Sequence, residues 1–220
     1  MSLPIPPTGA DFWNLFSAYF IIGVVAGGIV VAAMVYYAYS NRKTTGRREF
    51  KVDRAHYRSR AREAIVLASI SFVILFVLAI LSNNIAANIQ TPPDPSQSLT
   101  IHVTAFQWGF KFTYPNNVSV YTTCYVPVNT PIVFNVTSID VMHDFGLPDF
   151  KIKTDAMPGM HNIIWLTVPS LEGQSELTYQ IHCYELCGVG HTYMMANMTV
   201  LEQSAFKQWL NQTAASQGVG

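Results

Sequence analysis

Charge is what this chain of 220 residues has least of: 12% of it is Asp, Glu, Lys or Arg, about half the 25% of an ordinary soluble domain. Set beside 50% apolar residues, that scarcity excludes a disordered, collagen-like or nucleic-acid-coating chain. The 13 basic residues cancel the 13 acidic ones, so no net charge draws the molecule to nucleic acid or anionic lipid. No Lys or Arg precedes Arg42, and without that basic flank a cleaved secretory signal is disfavoured. No internal repeat or low-complexity tract is present, and cysteine occurs at three positions only.

What is present falls into two parts. Residues 12–41 carry no charge, and 18–39 form an apolar run long enough, at about 1.5 Å per residue, to cross a hydrocarbon core of about 30 Å. A second uncharged run covers 64–93, most apolar over 64–81 and able to continue as helix through 82–87. In lipid the backbone must satisfy its own hydrogen bonds, so both runs read as membrane helices; two buried helices of a soluble protein are the alternative. Nine of the 13 basic residues (Arg42, Lys43, Arg47, Arg48, Lys51, Arg54, Arg58, Arg60 and Arg62) lie between the runs, against Glu49, Asp53 and Glu63. That bias predicts a cytoplasmic connecting segment, with the N-terminus and residues 88–220 outside.

After the stiff Thr91-Pro-Pro-Asp-Pro-Ser96 stretch the periodicity changes from helical to alternating. Leu99, Ile101, Val103 and Ala105 alternate in one phase, then Phe106, Trp108, Phe110, Phe112 and Tyr114 in the other, which predicts a β-bulge near Ala105. Further strands are expected over 132–138, 162–168, 177–183 and 195–201, with turns such as Pro158-Gly159 between them, and a closing helix over 202–213 with Phe206, Trp209 and Leu210 on one face. Short strands at this spacing point to a Greek-key sandwich or barrel.

The chemistry concentrates in Cys183-Tyr-Glu-Leu-Cys187-Gly-Val-Gly-His191-Thr-Tyr-Met194, two thiols, an imidazole and a thioether directly after a strand. Thiolate, imidazole and thioether together favour copper, since hard ions want oxygen and structural zinc rarely takes Met. A mononuclear blue-copper site uses one Cys and two His, so the second Cys calls for another arrangement. Two thiolates can bridge two copper ions, and a second imidazole must then come from elsewhere. His143, in a loop between two expected strands, is the best donor. A Cys183–Cys187 disulfide is the plainer alternative, which His191 and Met194 weigh against. Cys124 reads as a small buried residue. His56, His102, His161 and His182 read as structural, although His182 adjoins Cys183 closely enough to tune the site.

Cys-x-Glu-x-Cys-Gly-x-x-His-x-x-Met, Asp140-Val-Met-His143 followed by Leu147-Pro148, and Lys153-Thr-Asp155-Ala-Met-Pro158-Gly159 together resemble subunit II of haem–copper terminal oxidases, the copper A-containing cytochrome c oxidase subunit. The likeness runs over nearly the whole chain. It implies a membrane α + β protein: a two-helix transmembrane hairpin at 1–90 (helices about 15–40 and 63–88), a linker at 91–98, a cupredoxin-like Greek-key β-barrel or sandwich at 99–201, and a C-terminal helix and tail at 202–220. It further implies that Cys183 and Cys187 bridge the two coppers, that His143 and His191 each bind one, and that Met194 and the Glu185 backbone carbonyl are the weak ligands. The Glu185 carboxylate would reach a magnesium or manganese ion bordering subunit I.

The resemblance makes the chain an electron-transfer subunit of a proton-pumping terminal oxidase, with oxygen reduced to water at a haem in subunit I. It places the protein in a prokaryotic plasma membrane as a multi-pass chain, among other oxidase subunits and lipid and with no nucleic acid. Trp108 would take the electron from the donor, although Gly109-Phe110 stand where the family usually has Tyr-Trp. Glu63 would be a carboxylate for proton uptake, with a helix-start Glu complementing the dipole as the simpler explanation. From 88 to 220, four basic residues against nine acidic ones leave −5, which would steer a positive donor and does not separate cytochrome c from a small blue-copper protein. Four sequons, at Asn117, Asn135, Asn197 and Asn211, fall on the side expected outside. Alternatives are a membrane-tethered copper chaperone, a quinol oxidase subunit II, which keeps the fold without the copper ligands, and an assembly subunit with a disulfide.

Overall fold

A computed structural model describes residues 7–42, 54–168 and 170–219, and omits the side chains at 7, 8, 41, 54–60 and 88–90. The chain divides into a helical unit, Trp13–Ala86, and a β unit that holds Ala87–Gly220 together with Met1–Phe12. The basic residues Lys43, Arg47, Arg48 and Lys51 lie outside the described residues, as does the His56 side chain.

Helix α1 is Pro7–Asn41 and α2 is Arg54–Gln90. Both reach beyond the apolar runs, α1 beginning at Pro7 rather than near 15 and α2 at Arg54 rather than near 63. Proline is tolerated in a first turn, whose N–H groups have no partner in the helix, and polar residues continue a helix as readily outside lipid as apolar ones do within it. The stretches Gly9–Ser40 and Ala61–Ala87 are each long and apolar enough to cross a membrane. Large apolar side chains such as Phe20, Val35, Phe72 and Leu75 point outward along them, the surface a bilayer would cover. Between the helices the Tyr19 hydroxyl meets Ser82 Oγ at 2.8 Å, and Ser82 Oγ also donates to the Leu78 carbonyl, so these polar atoms are satisfied within the pair.

The β unit is a sandwich of ten strands: β1 Leu99–Phe106, β2 Gly109–Thr113, β3 Ser119–Tyr121, β4 Thr123–Pro127, β5 Pro131–Ser138, β6 His143–Leu147, β7 Ile152–Ala156, β8 Asn162–Thr167, β9 Glu176–His182 and β10 Met195–Leu201, closed by helix α3 at Gln203–Gln217. One sheet runs β3-β2-β1-β5-β8 and the other β4-β10-β9-β6-β7. Parallel pairs, β1 with β5 and β4 with β10, stand among antiparallel ones, so the chain crosses between sheets instead of meandering. Phe145 of β6 lies at the middle, its ring 5.1 Å from Phe134 and 5.6 Å from Phe110 across the sandwich. Each such ring contributes about 1.5–3 kcal/mol by its burial. Along α3, Phe206 and Trp209 pack on Tyr114, whose hydroxyl donates to the Tyr125 carbonyl and accepts from the Tyr125 N–H.

Three expectations need correction. There is no bulge at Ala105: Gln107 and Trp108 form a two-residue turn, with Phe106 paired to Gly109 and Ala105 to Phe110. Reversal of the chain puts odd residues of β1 opposite even residues of β2, so the phase change is the signature of a hairpin. His143 is the first residue of β6 instead of a loop residue. That strand is buried along its whole length and shows no alternation to read. The closing helix continues to Gln217, where Gly218 ends it in the left-handed region.

Candidate metal centre

Strands β6, β9 and β10 bring one set of ends together. Gly146 of β6 bridges to His182, the last residue of β9, and His182 pairs with Met195, the first of β10. The connection between β9 and β10 leaves at Cys183 and returns at Met194, with the Cys183 N–H donating to the Met194 carbonyl at 3.2 Å. A twelve-residue segment tied at its base in this way has little freedom except to fold over the strand ends, where His143 opens β6.

Five sulfur and nitrogen groups converge there. Cys183 Sγ and Cys187 Sγ are 3.8 Å apart and both thiols are free. Cys187 Sγ stands 3.6 Å from His191 Nδ1 and 3.6 Å from Met194 Sδ. His143 offers a ring nitrogen within 4.8 Å of both thiols. Cys183 Sγ also approaches the Glu185 carbonyl oxygen, at 3.3 Å. Met194 and His143 have no exposed surface and the two cysteines almost none, while His191 is half-exposed at the rim.

The fit to a soft metal rests on one atom above the others. His143 Nε2 is held by Asp140 Oδ1 at 2.8 Å, whereas Nδ1 is buried without a hydrogen-bond partner, a costly state for an imidazole unless it ligates. Burial works to raise the Asp140 carboxyl, but hydrogen bonds from His143, the Val141 and Gln107 N–H groups and Ser138 outweigh it and hold it at about 2. Burial, with the Cys183 thiol alongside, pushes the Cys187 thiol up to about 11. A cation in the cluster would reverse that penalty and hold the thiolates.

All six residues expected at the centre, His143, Cys183, Glu185, Cys187, His191 and Met194, thus come together. Trp108 joins them from the other sheet. It sits in the β1–β2 turn, 41% exposed, and its indole N–H donates to the Cys187 carbonyl at 3.1 Å. Gly190 gives the ring room: a Cβ there would run into the indole. Glu63 belongs to the helical unit, exposed and well inside α2, so the helix-start explanation for it fails; the first turn of α2 has no acidic residue. The Glu185 carboxylate joins no group of metal-capable side chains among the described residues. His182 pairs with Gln180 and His161 with Asn135, as structural histidines would.

Sequence reasoning missed Gln107, whose side-chain N–H donates to the Cys187 carbonyl at 2.7 Å and whose backbone N–H donates to Asp140 Oδ2 at 2.7 Å. An acid three residues before a candidate ligand could have pointed to Asp140. Nothing marks a glutamine in a turn.

The sequence profile described as "Cytochrome C oxidase subunit II, periplasmic domain" matches residues 116–201. The "Heme-copper oxidase subunit 2" of Aeropyrum pernix is 32% identical over 215 residues, spanning 93% of this chain and 90% of its own. The chain belongs to the haem–copper oxidase subunit II family. Within the family, a "Probable cytochrome c oxidase subunit 2" of Rickettsia bellii is 27% identical over 177 residues, covering 69% of this chain and 63% of that protein. The crystal structure of the periplasmic domain of subunit II of Bradyrhizobium japonicum cytochrome oxidase superposes with a TM-score of 0.52 at 29% identity, over 57% of this chain and 99% of that one. The sandwich of this subunit II chain is therefore the cupredoxin-like one of the family, carried behind two apolar helices.

Proposed function

We propose that this subunit II chain accepts single electrons outside the membrane at a dinuclear copper A centre and passes them to haem in subunit I, for reduction of oxygen to water coupled to proton pumping. The observation that carries this is the convergence of two unbonded thiols, a thioether and two imidazoles, one of them with a buried, partnerless nitrogen. Cys183, Cys187, His143 and His191 would hold the metal pair, with Met194 and the Glu185 carbonyl as weaker donors. Bound there, the copper pair supplies a one-electron relay whose charge is shared over two ions, so that bond lengths change little.

The protein's own part is to keep that relay stiff and dry. Met194 and His143 are walled off from solvent, His143 opens β6 while Cys183 and Met194 sit directly beside the ends of β9 and β10, and Asp140 fixes the His143 ring. Trp108, part-exposed and bonded to the carbonyl of a ligand residue, is positioned to take the electron from cytochrome c or a small blue-copper protein. In this reading the helices and β unit follow the 1–90, 91–98, 99–201 and 202–220 division, and the β unit lies outside the plasma membrane. The resemblance alone makes Glu63 the proton-uptake carboxylate and a magnesium or manganese ion the partner of the Glu185 side chain.

Copper counting on the intact complex tests the proposal. Two coppers per subunit II with an intense mixed-valence absorption are expected; a single labile copper would favour a chaperone, and none, with Cys183 bonded to Cys187, would overturn the function. A quinol oxidase subunit would lack the ligand set that this chain carries.

A further inference from the structure

Two hydrogen bonds meet at Gln107. Its backbone N–H holds Asp140 Oδ2 at 2.7 Å, and the other oxygen of that carboxylate holds His143 Nε2 at 2.8 Å. Its carboxamide N–H holds the Cys187 carbonyl at 2.7 Å, which also receives the Trp108 indole N–H. One residue of the β1–β2 turn is thus bonded to both sides of the centre, to the histidine side through its main chain and to the cysteine side through its side chain. The approach is close enough to constrain the facing backbone: Gly188 has φ +112°, and a Cβ there would lie 3.1 Å from Gln107 Nε2. Only glycine takes that conformation without strain.

The carbonyl so gripped belongs to a residue whose sulfur has three other donors close by. Cys187 Sγ has Cys183, His191 and Met194 all within 3.8 Å. A shift of the Cys187 main chain would change all three spacings at once.

We infer that Gln107 is a positioning residue of the copper site, its carboxamide fixing the Cys187 main chain and so the spacing of the Cys187 sulfur. This rests on the copper A reading. Because the side chain and main chain of Gln107 serve different partners, substitution separates them: Gln107→Met keeps the length and the Asp140 contact but has no donor, and Gln107→Asn keeps the amide but draws it back by one methylene. A donor next to a metal site favours the more electron-rich, reduced form, so its loss lowers the reduction potential.

The test uses the full-length chain in detergent, with three readouts. In the metal-free protein, alkylation of Cys183 and Cys187 should be severalfold faster in both variants than in wild type, with the circular dichroism of the fold unchanged. Copper affinity should fall about tenfold, as for loss of an outer partner of a metal ligand. The potential should fall by about 59 mV for each tenfold by which the reduced form loses more affinity than the oxidised one. If wild type binds two coppers and both variants match it in thiol protection, affinity and potential, the inference is overturned alone. If wild type binds no copper pair, the proposed function is overturned and this inference with it.

Discussion

Cys124 in β4 has no exposed surface, and its thiol meets the Tyr114 hydroxyl at 3.7 Å. Burial pushes the thiol up to about 12, against an ordinary value of 9.0, with the Tyr114 contact opposing weakly. In the unfolded chain the thiol ionises from about pH 9, in the folded chain only near 12, so between those values the folded state binds more protons and stability falls as pH rises. Wild type should lose about 1 kcal/mol more than Cys124→Ala between pH 8 and pH 10, read from guanidinium unfolding of the two proteins side by side. Equal losses would mean that the thiol is not shielded. The same scale separates what composition reveals from what it hides. Thiols, imidazoles and thioethers are rare enough in sequence for Cys183, Cys187, His191 and Met194 to stand out as candidate metal ligands, and His143 followed as the missing imidazole. Gln107 did not, because its chemistry is common and its role comes wholly from a contact made 80 residues away.

Among the elements, strands with one wet face announced themselves. β9 alternates buried and exposed positions along its length, and its boundaries were legible to within a residue. β6 could not be read that way, since all five of its residues are buried and a short strand covered on both faces has no period. The β1–β2 hairpin was legible as two phases but not as a turn, because a two-residue connection made of Gln and Trp lacks the Asn-Gly or Gly-rich chemistry that marks one. That turn carries Trp108 onto the Gly188-Val189-Gly190 segment, and the absence of a side chain at Gly190 is what lets the indole lie there. Gly190→Ala should displace the ring from the Cys187 carbonyl, destabilise the β unit by about 1–3 kcal/mol as overpacking does, and slow reduction by the donor protein in the way that Trp108→Ala does, while the copper absorption persists. Stopped-flow reduction of both variants measures this. Wild-type rates in Gly190→Ala beside slow ones in Trp108→Ala would show that the packing does not position the ring.

At the scale of the whole chain, function depends on which side of the membrane each part occupies, and the distribution of charge decides that. Lys and Arg near the ends of membrane helices resist transfer across the bilayer, and the bias acts mainly through short segments close to the spans. Nine of the 13 basic residues are concentrated between the two apolar runs, and from 88 onward four remain, spread over 133 residues. With two spans, whatever follows α2 lies on the side opposite the basic segment, so a cytoplasmic basic segment would put the proposed copper ligands where an external donor could reach them. The opposite orientation would bring nine cations across the membrane and confine the thiols to a reducing compartment. Single introduced cysteines separate the two. In intact cells an impermeant maleimide should label Ala215→Cys, exposed on α3, and should reach Thr45→Cys only after the membrane is opened. Labelling of Thr45→Cys in intact cells, with Ala215→Cys protected, would put the β unit in the cytoplasm, and a donor outside could then deliver nothing to it.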